Sequence, residues 1–221
     1  MKISILCSSS DHPVFPWLIQ WKKRYEKNHK VDVFSSKKEL TGGDILFLIS
    51  CNEIITFEIR KQYTKTLVIH AGDLPVGRGW SPHIWQILEG QNLFTVTLLE
   101  AENKVDTGAI WQKLNFQLQG HELADEINEK LFDTELKLMS FAIDNFHVIK
   151  PTAQKEGESS CYPKRTPQDS KLDPNKTIAE QFNLLRVADN NRFPAFIDHL
   201  GYRYLLKLEK AGSVREEKNN E

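Results

Sequence analysis

Cysteine is scarce in this chain. Cys7, Cys51 and Cys161 are the only three, odd in number and widely scattered, so neither a disulfide framework nor a zinc-ligand spacing emerges. An excess of charge of one sign is also missing. Twenty-nine Lys and Arg residues stand against 30 Asp and Glu, a net charge of −1 with a pI near 6.7, which leaves no electrostatic footprint for nucleic acid. Long apolar runs are absent too. Ile3–Leu6, after Met1 and Lys2, is too short for a signal-peptide core or a membrane span, so no membrane partner and a cytoplasmic location are expected. Nucleotide-binding glycine motifs do not follow this first apolar run. Ser8-Ser9-Ser10-Asp11-His12 has no glycine and no phosphate-loop lysine, and reads as a turn and helix cap. His121-Glu122 is followed by Leu123, Ala124 and Asp125, without the second histidine of a zinc-protease helix, so no metal site is expected.

What is present is an alternation of short apolar strands and amphipathic helices, the pattern of an α/β sheet. Ile3–Leu6, Val31–Phe34, Asp44–Ser50 and Leu67–His70 read as strands, and Val14–Glu26 as a helix with Trp17, Leu18, Trp21 and Tyr25 on one face. Glu122–Phe146 reads as a long helix whose Leu123, Ile127, Leu131, Leu138 and Phe141 repeat at helical spacing. Residues 152–160 are polar and poor in apolar side chains, and read as an exposed linker or mobile loop. The expected organisation is a domain over 1–150, an extension over 151–212, and a charged, disordered tail over 213–221.

Two stretches carry chemistry. In the first, the strand Thr66-Leu67-Val68-Ile69 delivers His70 into Ala71-Gly72-Asp73-Leu74-Pro75-Val76-Gly77-Arg78-Gly79-Trp80-Ser81-Pro82, placing a histidine at the strand end where open α/β sheets bind ligands. Pro82 to Gly90 follows as a short helix. In the second, Phe94–Glu100 reads as a strand, a turn holds Asp106-Thr107-Gly108, and another strand begins at Ala109-Ile110-Trp111. Asp106 lies 36 residues after His70. By itself the aspartate reads equally well as a solvated turn residue.

These two stretches resemble the formyltetrahydrofolate-dependent formyltransferases. That family's pattern is Asn-x-His-x-Ser-Leu-Leu-Pro, two residues, Arg-Gly, two residues and Pro, and this chain keeps His70, Leu74, Pro75, Arg78, Gly79 and Pro82 in register. The family's later Gly-Val-Thr and Asp-x-Gly are matched by Val96, Thr97, Asp106 and Gly108. Val68 stands where the family has the asparagine that donates to the formyl oxygen, and Gly72-Asp73 replaces Ser-Leu. Asn52, at the end of the preceding strand, is the candidate substitute donor, with an ordinary helix-start role as its alternative. The implied fold is a Rossmann-like sheet with helices on both faces and a small C-terminal α+β extension.

The resemblance implies 10-formyltetrahydrofolate as formyl donor, held by Gly72, Asp73, Leu74, Pro75 and Val105. It implies His70 as base and hydrogen-bond donor, with Asp106 orienting the imidazole or a relay water. A further stretch, Arg165, Pro167 and Asp169, then Asn183, Leu184, Arg186 and Phe193-Pro194, is similar to the element that follows the catalytic domain in sugar N-formyltransferases. The variants around His70, Trp80–Gly90 and Glu180–Arg186 look most like a divergent branch associated with pseudaminic-acid-type pathways. The implied acceptor is therefore a nucleotide-linked amino sugar, a UDP-linked 4-amino-4,6-dideoxy sugar, met by Arg78, Trp80, Trp85, Arg165 and Arg186. Alternatives from other classes are a non-catalytic folate- or partner-binding member, suggested by Val68, and formylation of a non-sugar amine. Aromatic residues in the C-terminal hairpin would suit a homodimer interface.

Overall fold

The structure, a computed structural model, describes residues 1–155, 157 and 159–214. The chain forms two compact units, one of residues 1–118 with 128–164, the other of residues 119–127 with the chain from 165 onward. The division therefore falls after Lys164, and residues 151–164, expected as the start of the extension, belong with the first unit. The expected disordered tail lies almost wholly outside the described residues.

The first unit holds a six-stranded sheet in the order β2-β1-β3-β4-β6-β7. Its strands are β1 (Lys2–Leu6), β2 (Lys30–Phe34), β3 (Gly43–Leu48), β4 (Tyr63–His70), β6 (Leu93–Glu100) and β7 (Ile110–Gln117). The first four are mutually parallel, while β6 and β7 form an antiparallel meander on β4. Two strands run longer than their patterns showed: β4 begins at Tyr63 and β7 continues to Gln117. In both, half-buried polar residues such as Lys65 and Gln112 interrupt the apolar signal.

Helices cover both faces of the sheet. On one, α1 (Phe15–Tyr25) packs Trp21 against Phe47 of β3, with ring centroids 6.0 Å apart. Helix α4 (Ala124–Asp144) joins it: Trp21 Nε1 donates to Ser140 Oγ at 3.1 Å, and Phe132 meets Trp17 edge-on at 6.1 Å. α1 begins with a proline in its first turn and ends on Lys22, Lys23 and Arg24, which complement its dipole. On the other face Leu6, Leu46, Leu48, Ile55 and Tyr63 form a cluster, closed by Ile59 of α2 (Phe57–Arg60) and by Val68. Between β4 and β6 lie a two-residue strand, β5 (Arg78–Gly79), and α3 (Pro82–Leu88), which stops two residues before Gly90 at φ +88°. β5 pairs in parallel with β8 (Cys161–Tyr162).

The second unit contains α5 (Phe182–Arg186) and an antiparallel hairpin of β9 (Ala195–His199) and β10 (Tyr202–Leu206). Its core is Leu172, Leu185, Ala188 and Ala195. Tyr202, Tyr204 and Leu205 of β10 are exposed. No helix among the described residues is long and apolar enough to cross a membrane.

Candidate active site

His70 ends β4 as its sequence placed it, and it is buried. Its Nε2 lies 2.7 Å from the carbonyl oxygen of Gly77. A carbonyl only accepts, so Nε2 carries the proton and, in the neutral ring, Nδ1 carries the lone pair. Nδ1 faces Asp106 Oδ1 at 3.6 Å, with side-chain exposures of 8% and 5%. That separation exceeds a hydrogen bond to a neutral ring, yet it sets a carboxylate at ion-pair range for an imidazolium formed there. Gly77 therefore orients the ring through Nε2, while Asp106 faces the other nitrogen.

Asp106 reaches this position through an irregular loop. β6 ends at Glu100 opposite Leu67, three residues short of His70 in the register, so the loop must double back toward the strand's C-terminal end. Asp106 itself adopts φ +58°, a left-handed conformation that aspartate tolerates better than most residues. Its Oδ2 accepts from the backbone N–H of Gly79 at 3.1 Å, and its carbonyl accepts from Arg78 Nε at 3.2 Å. Two residues on, a Cβ on Gly108 would lie 1.8 Å from the Glu100 carbonyl oxygen. The Asp-x-Gly pattern thus has a steric basis: the loop closes on a backbone contact that only glycine allows.

Gly72 shows the same logic. A Cβ there would stand 2.5 Å from Gly77 O and 2.9 Å from His70 Nε2, so the departure from serine at this position is what lets the two ends of the loop meet over the imidazole. The Gly72 carbonyl accepts from the buried Thr97 hydroxyl at 2.7 Å. Asp73 pairs with Lys113 Nζ at 2.5 Å, and Lys113 also donates to the Leu74 carbonyl at 2.8 Å. Leu74 is buried, and the Leu74–Pro75 peptide is cis. Val105 is exposed beside the loop. Lys113 had no signal in the sequence because only the β6–β7 pairing brings it here.

The remaining expected residues are placed as follows. Asn52 is exposed after β3, with its backbone N–H on Ser8 Oγ at 3.0 Å, and no hydrogen bond links it to His70. Val68 packs its side chain into the Leu6–Leu48 cluster. Arg78 is occupied: besides Asp106, its guanidinium donates to Gln154 Oε1 at 3.0 Å. Trp85 stacks on Tyr162 at 6.3 Å with planes 6° apart, and its Nε1 donates to the Pro163 carbonyl at 3.0 Å. Burial and the Glu89 carboxylate push the Tyr162 phenol up to about 12. Trp80 is 42% exposed, with Lys164 Nζ 4.8 Å from its ring centroid.

Arg165 and Arg186 belong to the second unit and are engaged inside it. Arg165 donates to the Asp169 carbonyl and to Ser170 Oγ, closing a short turn. Arg186 is 1% exposed, its Nε donating to Asn183 Oδ1 at 2.8 Å. Burial draws its guanidinium below the usual arginine range, opposed by the Glu122 carboxylate. Its Nη1 is buried without a hydrogen-bond partner. The linker expected over 152–160 is exposed at its described residues except half-buried Gln154, and it is nonetheless tied to its neighbours. Thr152 bridges Ile110, Gln154 reaches the Asp106 loop, and Ser160 binds Gly77 and Arg78.

Comparisons with known proteins define the class. The methionyl-tRNA formyltransferase from Clostridium thermocellum superposes with a TM-score of 0.81 at 23% identity, over 96% of this chain and 95% of that one. A 4-N formyltransferase from Francisella tularensis gives 0.76 at 16% identity, over 96% and 98%. HypX from Aquifex aeolicus, solved in complex with tetrahydrofolic acid, gives 0.76 at 24%, over 94% of this chain but only 37% of HypX. These likenesses establish a formyltransferase-type fold. The formyl transferase family model matches residues 6–143, well over half of the chain, and the protein belongs to that family. It is a formyltransferase, and the family's formyl donor is formyltetrahydrofolate. The loop suits such a donor in one respect: Gln86 Oε1 is buried without a hydrogen-bond partner, and Gln86 Nε2 is 3.6 Å from where a Gly77 Cβ would sit. An unpaired amide beside Gly77 is the kind of group a pterin ring's N–H edge satisfies.

Proposed function

We propose that the protein transfers the formyl group of 10-formyltetrahydrofolate to the amine of a nucleotide-linked amino sugar, a UDP-linked 4-amino-4,6-dideoxy sugar. The observation that carries the chemistry is the buried His70 with Nε2–H on Gly77 and Nδ1 facing Asp106. His70 Nδ1 takes the proton that the acceptor nitrogen loses as its bond to the formyl carbon forms. His70 then returns that proton to N10 of the donor as the N10–formyl bond breaks, so protons and bonds balance. Asp106 faces the imidazolium during the interval, and a positioned base of this type contributes roughly 10²–10⁴ in rate. Gly72, Asp73, Leu74 and Pro75, together with Val105 of the Asp106 loop, are proposed to hold the folate, with Lys113 fixing Asp73 and the Leu74 carbonyl.

The sugar acceptor is supported by the near end-to-end match to the Francisella 4-N formyltransferase and by a net charge of −1, unfavourable for a polyanionic RNA. Trp80 with Lys164 above it offers an exposed aromatic face beside a cation, suited to a nucleobase and its phosphates. Mass spectrometry of the protein with 10-formyltetrahydrofolate and a panel of UDP- and dTDP-linked 3-amino and 4-amino sugars tests the reading. A sugar product heavier by one formyl group, lost in His70→Ala, is expected. Formylation of methionyl-tRNA but of no sugar would replace the acceptor, and unchanged turnover in His70→Ala would remove the mechanism.

A further inference from the structure

We infer that Gln154 and Ser160, on the segment leading out of α4, are positioning residues that hold the two partners of His70 in place from outside the catalytic loops. This rests on the His70–Asp106 reading above. Gln154 Nε2 donates to the carbonyls of Asp106 at 2.9 Å and Gly108 at 3.0 Å, and its Oε1 accepts from Arg78 Nη2 at 3.0 Å. One amide thus ties two points of the loop that carries the carboxylate, the left-handed Asp106 and Gly108, to Arg78 of β5. Ser160 works on the opposite partner. Its Oγ accepts from the Gly77 N–H at 2.8 Å, and its carbonyl accepts from the Arg78 N–H at 2.9 Å, fixing the peptide whose neighbouring carbonyl holds His70 Nε2.

Both ends of this segment are anchored by backbone pairing. Thr152 exchanges hydrogen bonds with Ile110 of β7 at 2.7 and 2.9 Å, and β8 pairs with β5 and continues to Trp80 N–H on the Tyr162 carbonyl at 3.1 Å. Each catalytic loop alone lacks the regular ladder that would hold it. Asp106 sits between β6 and β7 where the meander has already opened, and Gly77 precedes a strand of two residues. The supports come from the 150–163 region because it crosses both loops. Supporting hydrogen bonds of this kind set catalytic geometry, and a displacement of about 1 Å can cost about 10²-fold in rate.

Gln154→Met keeps the volume and loses all three hydrogen bonds, while Gln154→Glu keeps the acceptor for Arg78 and loses both donors. Each should lower kcat with 10-formyltetrahydrofolate and a UDP-linked 4-amino-4,6-dideoxy sugar by about 10- to 100-fold, with KM for the donor within about twofold. Ser160→Ala should act similarly and Ser160→Thr, which keeps the hydroxyl, should recover. Combined with Asp106→Asn, Gln154→Met should cost little more, because both changes act through one group. A second readout needs no acceptor: long-range nitrogen–proton NMR of the histidine ring should show His70 as the Nε2–H tautomer in the parent and as a tautomer mixture in Ser160→Ala. Parent-like kcat in both Gln154 variants, with an unchanged His70 tautomer in Ser160→Ala, overturns the inference while leaving an inactive His70→Ala, and hence the proposed mechanism, standing. An active His70→Ala overturns the mechanism, and the positioning role with it.

Discussion

Gly108→Ala is expected to separate the geometry of the Asp106 loop from its mere presence. The new methyl group would start 1.8 Å from the Glu100 carbonyl oxygen and must retreat to at least 3.0 Å, a shift of 1.2 Å. Nothing flexible can absorb it, since the atoms met are the oxygen, carbonyl carbon and Cα of Glu100, all backbone in β6. The hydrogen bond from Glu100 N–H to the Ala109 carbonyl, 2.9 Å long, ties the same corner, so the loop must yield. Overpacking of this kind costs about 1–3 kcal/mol, which for a chain of this size corresponds to a fall in Tm of roughly 3–10 °C. Asp106 is two residues away, and a shift near 1 Å at the carboxylate should lower kcat by about 10²-fold. Differential scanning fluorimetry and formyl-transfer kinetics check the two effects together. Gly90→Ala is the control: its Cβ meets nothing within 4 Å although φ is +88°, so it should cost about 1 kcal/mol in strain and leave kcat unchanged. Parent-like Tm and kcat in Gly108→Ala would refute the steric account of the Asp-x-Gly pattern.

Two other perturbations follow from buried charge. Glu135 on α4 is buried with Oε2 unpartnered, and burial raises its carboxyl from 4.5 to about 8. The folded state then holds a proton that the unfolded chain releases, so this group's contribution is fully present below about pH 4.5 and is lost as pH rises toward 8. Urea titrations at pH 5 and pH 8 should show Glu135→Gln gaining stability over the parent at the higher pH, by on the order of 3 kcal/mol or more; an equal difference at both values would refute the buried-acid account. Arg186→Met should lower Tm, because it deprives Asn183 and the Glu122 carboxylate of their buried cation, at a cost of about 3–5 kcal/mol. KM for the sugar should not move, whereas a large rise in KM with an unchanged Tm would return Arg186 to the binding site.

Much of the site was legible because its signals are local. A strand running into His70, the glycine and proline punctuation of residues 71–82, and the turn at Asp106 each depend on neighbours in the chain. The resemblance carried by these motifs singled out the pair that the structure sets 3.6 Å apart. Polarity marked the described residues of 152–160 as exposed, which all but half-buried Gln154 are, but gave no sign that Gln154 and Ser160 also bond backbone groups of other loops. An arginine in a motif likewise gives no indication of being 1% exposed, as Arg186 is.

The sequence by itself determined the α/β pattern, encoded in short spans of periodicity and turn chemistry, and the motif resemblance that singles out His70 and Asp106. Tertiary structure alone decided which nitrogen of His70 carries its proton, why Gly72 and Gly108 admit no side chain, and which residues brace the loops. Those outcomes depend on carbonyls and amides brought together across 7, 8, 48 and 83 positions of chain. Backbone groups are identical in every residue, so a contact made through them leaves no mark on the sequence until the chain has folded.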